Sequence, residues 1–246
     1  MARAGIGTDL EGIHAVEAAV DSGRVKELTV EHSRRSNRDV SRILSKASAM
    51  HIDHTFVDDV RPLAATNAPQ GIVARATPIP AMSLNQIVET DVMPALLVVD
   101  HVEDPRNIGA AARSAYAAGM TGLVVSDRRS APIGATAFKA AVGALEHLPV
   151  AVVSSVADAM KRLGKLGLWR VGLDGGGDRS ILGLDLLDQP VAVCVGAEGS
   201  GLSHLVSERC DVVAKIPMVG AAESLNASVA ASLACFEVAR MRGWLS

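Results

Sequence analysis

Polar side chains in three loops of this 246-residue chain could form a binding and catalytic site. The first loop, NIGAAARSA at residues 107–115, begins with an asparagine and carries one arginine. Asn107 is typical of a helix N-cap, because its side-chain oxygen can accept a hydrogen bond from an amide of the first turn. Arg113 could bind a phosphate or pair with an acidic neighbour at the edge of the helix. By itself, Arg113 does not distinguish these two roles.

The second loop holds a carboxylate between glycines, with the sequence GAEGSG at residues 196–201. Glycines adopt backbone angles that other residues avoid, and they let a ligand approach the chain closely. The spacing is neither the dinucleotide fingerprint G-x-G-x-x-G nor the phosphate-binding G-x-x-x-x-G-K-[ST]. A tight turn would explain the glycines, but it would not require Glu198.

The third loop, IPMVGAAESLN at residues 216–226, leads into the last predicted helix. Ser224 or Asn226 could cap that helix, and a single cap explains only one of them. Neither the second polar residue nor the stretch 218–222 has an equally simple structural explanation. We therefore regard this loop as a third candidate part of a site.

A basic segment near residue 34 is a candidate RNA-binding surface. Its five positive charges are accompanied by only two negative ones, at Glu31 and Asp39. The segment is either a solvated helix face or a set of contacts to RNA phosphates, and both interpretations stay open. The candidate phosphate ligands are Arg34, Arg35 and Arg38, and Arg42 and Lys46 complete the segment.

Other polar features of the sequence carry less information. The seven histidines lack the spacing of metal ligands, so we predict no metal site. The GGGD segment at 175–178 is typical of a flexible surface turn. Arg128 and Arg129 either contact RNA or belong to an exposed loop.

The three loops follow short apolar runs that predict a parallel sheet. Because these runs are continuously apolar, we expect strands covered on both faces. Helical patterns lie between several of them, which predicts a doubly wound α/β domain over residues 91–246, with ligands beyond the carboxyl ends of the strands. The predicted strands are 96–99, 123–125, 150–153, 169–173, 191–195 and 212–216, and the predicted helices are 108–118, 135–145, 156–166 and 224–242.

Residues 1–76 predict a second, smaller unit. Mixed elements in so short a segment favour an α/β sandwich. Residues 77–90 contain two prolines within three residues and lack a clear period, so we interpret them as a linker. In the small unit we predict helices at 13–20 and 39–50 and strands at 28–30, 55–57 and 71–76.

Composition excludes several classes of protein. Apolar residues make up 49% of the chain, and 24 basic residues nearly balance 27 acidic ones, which rules out a disordered chain. Only six aromatic residues are present, an argument against a base-stacking platform. With three cysteines, no signal-peptide pattern and no apolar run long enough to span a membrane, we expect reduced thiols and a cytoplasmic protein.

Taken in order, the three loops resemble the SpoU (TrmH-like) family of RNA ribose 2'-O-methyltransferases within the SPOUT superfamily. The matching segments are NIGAAARSA at 107–115, GAEGSGL at 196–202 and IPMVGAAESLNASVA at 216–230. In the first unit, GIHAVEAAV and QGIVARA resemble the amino-terminal substrate-binding domain of the branch that methylates ribosomal-RNA guanosine.

The resemblance implies a homodimer with S-adenosylmethionine bound in a domain tied into a deep trefoil knot. Knots are rare exceptions to ordinary chain topology, and nothing in the periodicity of the sequence indicates one. By the same resemblance, the cofactor contacts are Gly196, Ile216, Met218 and Leu225. The active-site residues are Arg113, regarded as catalytic, together with Asn107, Glu198, Ser224 and Asn226.

Methyl transfer to a ribose hydroxyl requires that the hydroxyl lose its proton. Arg113 is an awkward base, because a guanidinium keeps its proton at neutral pH. One possibility is that the site removes a proton from Arg113, which then acts as the base. The other is that charged Arg113 binds the adjacent phosphate while Glu198, Ser224 or water accepts the proton of the hydroxyl. We favour the second. We expect the substrate to be a guanosine of large-subunit ribosomal RNA. Alternatives are a transfer-RNA ribose, an antibiotic-contact site of the ribosome, or a non-catalytic RNA-binding assembly factor.

Overall fold

A computed structural model describes residues 5–128, 130–220 and 224–244. The first part of the chain forms a four-stranded sheet in the order β1-β4-β2-β3. Strands β1 and β2 pair antiparallel with β4, whereas β3 pairs parallel with β2 and lies at the edge. Its elements are β1 (Asp9–Glu11), α1 (Ile13–Asp21), β2 (Val25–Glu31), α2 (Arg38–Ala49), β3 (Asp53–Val57) and β4 (Ile72–Ala76).

The second part forms a seven-stranded sheet in the order β7-β6-β5-β10-β8-β11-β9, and every recorded pairing is parallel. Strands β5, β6 and β10 are buried at every residue, as expected for strands covered on both faces. The strands are β5 (Ala95–Val99), β6 (Gly122–Ser126), β7 (Val150–Val153), β8 (Trp169–Leu173), β9 (Arg179–Ser180), β10 (Val191–Val195) and β11 (Val212–Lys215). The predicted α/β class with a parallel sheet and a small second sheet is confirmed.

Helices cover this sheet; the two shortest of them were not predicted, and the other four lie close to the predicted positions. They are α3 (Leu84–Val88), α4 (Pro105–Ala117), α5 (Ala135–Ala141), α6 (Val156–Lys165), α7 (His204–Ser207) and α8 (Ala227–Met241). Small residues let α4 approach its neighbours closely. A Cβ atom at Gly109 would lie 2.2 Å from the carbonyl oxygen of Ala137 in α5. On its other side, α4 touches α8 through a 2.6 Å hydrogen bond from Ser232 Oγ to Ser114 Oγ.

Residues 77–90 join the two sheets as the predicted linker would, and part of this segment is helical. Helix α3 forms there because Ser83 and Gln86 make a capping box, and Leu84 and Ile87 are buried against the larger sheet. The sequence pattern was too short for its helical period to be recognised.

The two sheets are packed together by apolar and ionic contacts. One core cluster includes residues of both parts, among them Leu10 and Val16 of the first and Phe138 and Leu145 of the second. Arg24 also donates two hydrogen bonds to the fully buried carboxylate of Glu146, at 2.5 and 2.6 Å. These contacts fix the first unit against α5 and the turn that follows it.

Candidate functional site

The three loops converge where the topology of the large sheet changes direction. Strands β5 and β10 are neighbours, but α4 leads from β5 to β6 on one side and α7 leads from β10 to β11 on the other. In open α/β sheets, a crevice forms at the carboxyl ends of such strands. Two adjoining clefts lie in this region.

The first, which we call the glycine cleft, has a volume of about 330 Å³. It lies over the ends of β8, β10 and β11 and the start of α8. All four residues expected to contact the cofactor line it, and so does Ser224. Its wall includes Asp174, Gly175, Gly176, Gly196, Ile216, Met218, Ser224 and Leu225.

The shape of the glycine cleft depends on a loop that folds back on itself after β10. The amide of Ala197 donates to the carbonyl of Gly201 at 3.1 Å, and the reverse hydrogen bond measures 3.0 Å. A Cβ atom at Gly196 would lie 2.0 Å from the carbonyl oxygen of Gly201, so no larger residue fits there. Gly196 thus permits the turn that carries Glu198.

Two carboxylates that we did not single out hold this loop from both sides. Asp174, directly after β8, accepts a hydrogen bond from the amide of Leu202 at 3.1 Å. Asp100, directly after β5 and fully buried, accepts one from the amide of Ser203 at 2.9 Å. An acidic residue immediately after a buried strand was the signal in the sequence. In the GGGD segment, Gly175 and Gly176 form an exposed turn, and both also line the cleft.

The second, which we call the acidic cleft, lies between the loop after β5 and the loop after β10. Its wall includes His101, Glu103, Asp104, Asn107 and Glu198, and it shares Ala197, Ser200 and Gly201 with the glycine cleft. A hydrogen bond from Arg106 and its nearby charge lower the pKa of Asp104. This cleft can therefore present anionic oxygens to a neighbouring ligand.

A single side-chain amide, that of Asn226, links the three loops. Its Nδ2 donates to Asn107 Oδ1 at 3.1 Å and to Glu198 Oε2 at 3.2 Å. Its Oδ1 accepts hydrogen bonds from the amide and hydroxyl of Ser228, at 2.9 and 2.6 Å. Because Oδ1 caps α8, the two Nδ2 protons are directed at the other loops. The structure thus brings Asn107, Glu198 and Asn226 together.

The prediction that Asn107 caps its helix is wrong. Helix α4 begins at Pro105, and Asp104 is the N-cap, accepting a 2.8 Å hydrogen bond from the amide of Arg106. A proline at the first helical position carries no amide hydrogen and favours this earlier start. The side chain of Asn107 is consequently free to bind Asn226.

Arg113 is not brought to these clefts within one chain. It is exposed on α4, lines neither cleft, and makes no ion pair or side-chain hydrogen bond among the described residues. Tyr116 lies three residues further along the same face and is 47% exposed.

The basic segment of the first unit divides into two groups. Arg42 and Lys46 bind acidic residues, with 2.6 and 3.0 Å contacts to Glu17. The hydrogen bond from Arg42, followed by that from Lys46, lowers the pKa of Glu17 to about 2 despite its partial burial. The other three arginines are exposed and enter no ion pair within the described ranges; they are Arg34, Arg35 and Arg38.

Some features that we discussed from the sequence lie outside the described residues, namely Arg129 and positions 221–223. Within residues 5–128, 130–220 and 224–244, no cluster of three or more His, Cys, Asp or Glu residues could hold a metal ion. Each helix there is too short or too polar to traverse a lipid bilayer.

Comparison with known proteins gives the class and then the family. The model of the SpoU rRNA Methylase family matches residues 94–236, and the model for RNA 2'-O ribose methyltransferase substrate binding matches residues 10–82. The protein is an S-adenosylmethionine-dependent RNA methyltransferase that acts on a ribose 2'-hydroxyl. The chain belongs to the SpoU rRNA methylase family.

Individual relatives agree with this assignment. The 23S rRNA (guanosine-2'-O-)-methyltransferase RlmB of Pseudomonas aeruginosa is 37% identical over 94% of this chain and 95% of its own. An uncharacterized tRNA/rRNA methyltransferase of Mycolicibacterium vanbaalenii is 43% identical over 75% of this chain and 60% of its own. The crystal structure of the SpoU methyltransferase AviRb from Streptomyces viridochromogenes with AdoMet superimposes with a TM-score of 0.79 at 27% identity, covering 95% and 89% of the two chains.

The glycine cleft fits S-adenosylmethionine. Its volume falls at the lower end of the range for small-molecule sites. Ile216, Met218 and Leu225 supply apolar surface for an adenosyl group, and the carboxylate of Asp174 in the wall complements a sulfonium charge. The loop that Gly196 allows to close leaves backbone groups along the cleft for polar contacts.

Proposed function

We propose that this protein methylates the 2'-hydroxyl of a guanosine in large-subunit ribosomal RNA. The target is supported by the 37% identity to RlmB over nearly the full length of both chains. The site assignment rests on the hydrogen bond from the side-chain amide of Asn226 to Glu198. This bond connects the start of α8, at the glycine cleft, to the acidic cleft. A reacting ribose would lie along the seam that the two clefts share.

The cofactor would be held by Gly196, Ile216, Met218 and Leu225, with Ser224 beside them. S-adenosylmethionine supplies an electrophilic methyl group when it is bound, so the chain must position the hydroxyl and dispose of its proton. Asp100 and Asp174 keep the loop at 196–203 in place for this task.

We assign proton acceptance to Glu198. Its carboxylate is exposed to an incoming ligand, and Asn226 fixes one of its oxygens at 3.2 Å. The other oxygen is free of side-chain hydrogen bonds in the described part of the chain and can accept the proton of the ribose hydroxyl. Glu198→Gln should therefore reduce methyl transfer strongly while leaving binding of S-adenosylmethionine intact. Unchanged single-turnover rates would exclude this role.

We further propose a homodimer in which α8 supplies part of the interface. Val229, Leu233 and Phe236 recur at helical spacing on one face of α8 and are 45, 43 and 41% exposed. Arg113 and Tyr116 project from α4, which packs directly against α8. A second protomer on this face would bring its own Arg113 toward the first protomer's site, where the charged guanidinium could bind a phosphate of the RNA.

The dimer can be tested with Leu233→Glu, which places a charge in the exposed apolar face. We expect sedimentation to report a monomer and methyl transfer to fall with it. Lys165→Gln lowers the charge by the same single unit on α6, away from this face, and should leave the dimer intact. A monomeric wild-type protein would overturn the arrangement.

Arg34, Arg35 and Arg38 are proposed as phosphate ligands, because they are exposed and outside the ion pairs that occupy Arg42 and Lys46. Replacing the three by glutamine should weaken RNA binding and flatten its dependence on salt, since fewer counterions are released. Arg42→Gln is the matched control and should leave the salt dependence unchanged. A triple variant that binds RNA as the wild type does would remove this surface from the proposal.

The remaining proposals rest on the chain's membership of the SpoU family. We propose an RNA-binding domain at 1–76, a connecting segment at 77–90 and a catalytic domain at 91–246. We also propose that the carboxyl-terminal segment forms the trefoil knot and that the protein acts in the cytoplasm. Three cysteines that form no disulfide accord with a reducing compartment.

The deciding experiment is transfer of labelled methyl groups to unmodified ribosomal RNA and, separately, to transfer RNA. The label can be mapped because a methylated ribose resists alkaline cleavage. We expect label on one guanosine of the large-subunit RNA. Label on transfer RNA alone would keep the chemistry and change the target. Cofactor binding without transfer to either RNA or to ribosome precursors would favour a non-catalytic assembly factor.

A further inference from the structure

Four side chains of the first unit form a cluster that the sequence did not predict. The ring of His32 stacks on Phe56 with centroids 5.6 Å apart and an interplanar angle of 23°. His54 meets Phe56 edge-on at 5.8 Å. The guanidinium carbon of Arg35 lies 5.2 Å from the centre of the Phe56 ring. We call this group the ring cluster. The small number of Phe, Trp and Tyr residues argued against a base-stacking platform, but that number does not include the histidines, whose rings can also stack.

The ring cluster is anchored on one side and open on the other. Phe56 lies on the edge strand β3, is half-buried and packs against the core. His32, His54 and Arg35 are exposed. A base could therefore approach the outer rings while Phe56 remains fixed to the fold.

The charges around the ring cluster favour a polyanion. Arg34, Arg35 and Arg38 lie in the same loop and at the start of α2, and none forms an ion pair among the described residues. Among the acidic side chains close in sequence, Glu31 accepts hydrogen bonds from Ser33 and from the amide of Val60, and Asp39 pairs with Arg42 at 2.7 Å. Asp58 is exposed, whereas Asp59 pairs with Arg61 at 2.9 Å.

We infer that the ring cluster binds an unpaired nucleobase of the RNA substrate. The base would extend the stack of His32 on Phe56, while the three arginines bind the flanking phosphates. Such a site discriminates between RNA structures, because a base in a duplex is already stacked and paired. This inference rests on the proposed function, since it assumes that the first unit binds RNA.

Stacking of one base on an aromatic side chain changes affinity by about five-fold to about a hundred-fold, and it tolerates any base. Phosphate contacts instead act on duplex and single strand alike and give the binding its salt dependence. The two contributions are therefore separable by experiment. Loss of a ring should lower affinity for a loop, whereas loss of an arginine should lower affinity for both forms.

The test measures binding of the full chain to a labelled hairpin with a large unpaired loop and to a fully paired duplex of the same sequence. His32→Gln and Phe56→Leu should each weaken loop binding by about five-fold or more and leave the duplex affinity and the salt slope unchanged. The double variant Arg34→Gln/Arg38→Gln should weaken both and flatten the slope. His14→Gln removes an exposed histidine of α1, outside the cluster, and should have no effect.

Several outcomes would overturn the base site. Wild-type loop binding in both His32→Gln and Phe56→Leu would refute it, and His32→Gln avoids any defect in folding because His32 is exposed. Equal losses on loop and duplex would show that the rings only shape the arginine surface. Failure of the proposed function is distinct: it would appear as a wild-type protein that transfers no methyl group to any RNA.

Discussion

Asn226 offers the sharpest test of the site, because its two ends perform different tasks. Its Oδ1 caps α8, while its Nδ2 donates to Asn107 and Glu198. Aspartate is as good an N-cap as asparagine, so Asn226→Asp keeps the cap and removes the donors. Asn226→Ala removes both functions. Comparing the two variants therefore separates the cap from the hydrogen bonds that Asn226 donates to the other loops.

The magnitudes follow from these contacts. Asn226→Ala loses the cap, which contributes about 1 kcal/mol to the free energy of unfolding and which Asn226→Asp keeps. Both variants also lose the native hydrogen bonds that Nδ2 donates, so both should be less stable than the wild type. In the aspartate variant, the lost hydrogen bond to Glu198 costs about 1 kcal/mol. The new carboxylate also lies about 3 Å from that of Glu198. Since Glu198 is exposed, the dielectric of water applies and the repulsion adds about 1 kcal/mol. The sum of about 2 kcal/mol corresponds to roughly a thirty-fold lower kcat/KM.

The assay combines urea denaturation with steady-state methyl transfer at one fixed salt concentration. We expect the denaturation midpoint and the activity to fall in both variants, and the activity to fall further in Asn226→Asp because only this variant adds repulsion at Glu198. Activity equal to that of the wild type in Asn226→Asp would refute the argument that Asn226 positions Glu198. An unchanged denaturation midpoint in Asn226→Ala would refute the capping role.

Three further predictions concern stability and reactivity. Glu146→Gln leaves the partly buried Arg24 without its charged partner. It should lower the free energy of unfolding, measured by urea denaturation, by about 3 kcal/mol. A change within experimental error would show that the ion pair is dispensable. Glu17 has a folded pKa of about 2, below its ordinary value of 4.5, because of the hydrogen bond from Arg42 foremost. The ionised Glu17 therefore stabilises the fold above about pH 4.5, and this contribution is lost as the pH falls toward 2. Glu17→Gln should flatten the acid-denaturation curve over that pH range. An unaltered curve would contradict the assignment. Burial raises the pKa of Cys210 to about 12, so iodoacetamide at pH 8 should label it slowly in the native protein and rapidly in urea, as mass spectrometry can report. Fast native labelling would contradict its burial.

Most secondary structure was predictable because its causes are local. The predicted strand at 191–195 coincides with β10, since a continuous run of small and branched apolar residues specifies a strand covered on both faces. The predicted helix at 39–50 differs from α2 by one residue at each end, because its apolar face lies within the segment and its cap, Asn37, directly precedes α2. Helix α3 escaped prediction because five residues contain too little of a helical period.

The sequence by itself determined the fold class, the order of the three loops and, through the family they resemble, the chemistry. Only the tertiary structure decided which polar side chains meet. Asn226 binds Asn107 across 119 positions of the chain and Glu198 across 28, and Phe56 meets His32 only because β3 pairs with β2. The same folding pairs Arg42 with Glu17 while leaving Arg34 exposed. Spacing along a strand or helix fixes which face a side chain occupies, whereas contacts between distant loops depend on sheet order and helix packing, which local periodicity does not encode.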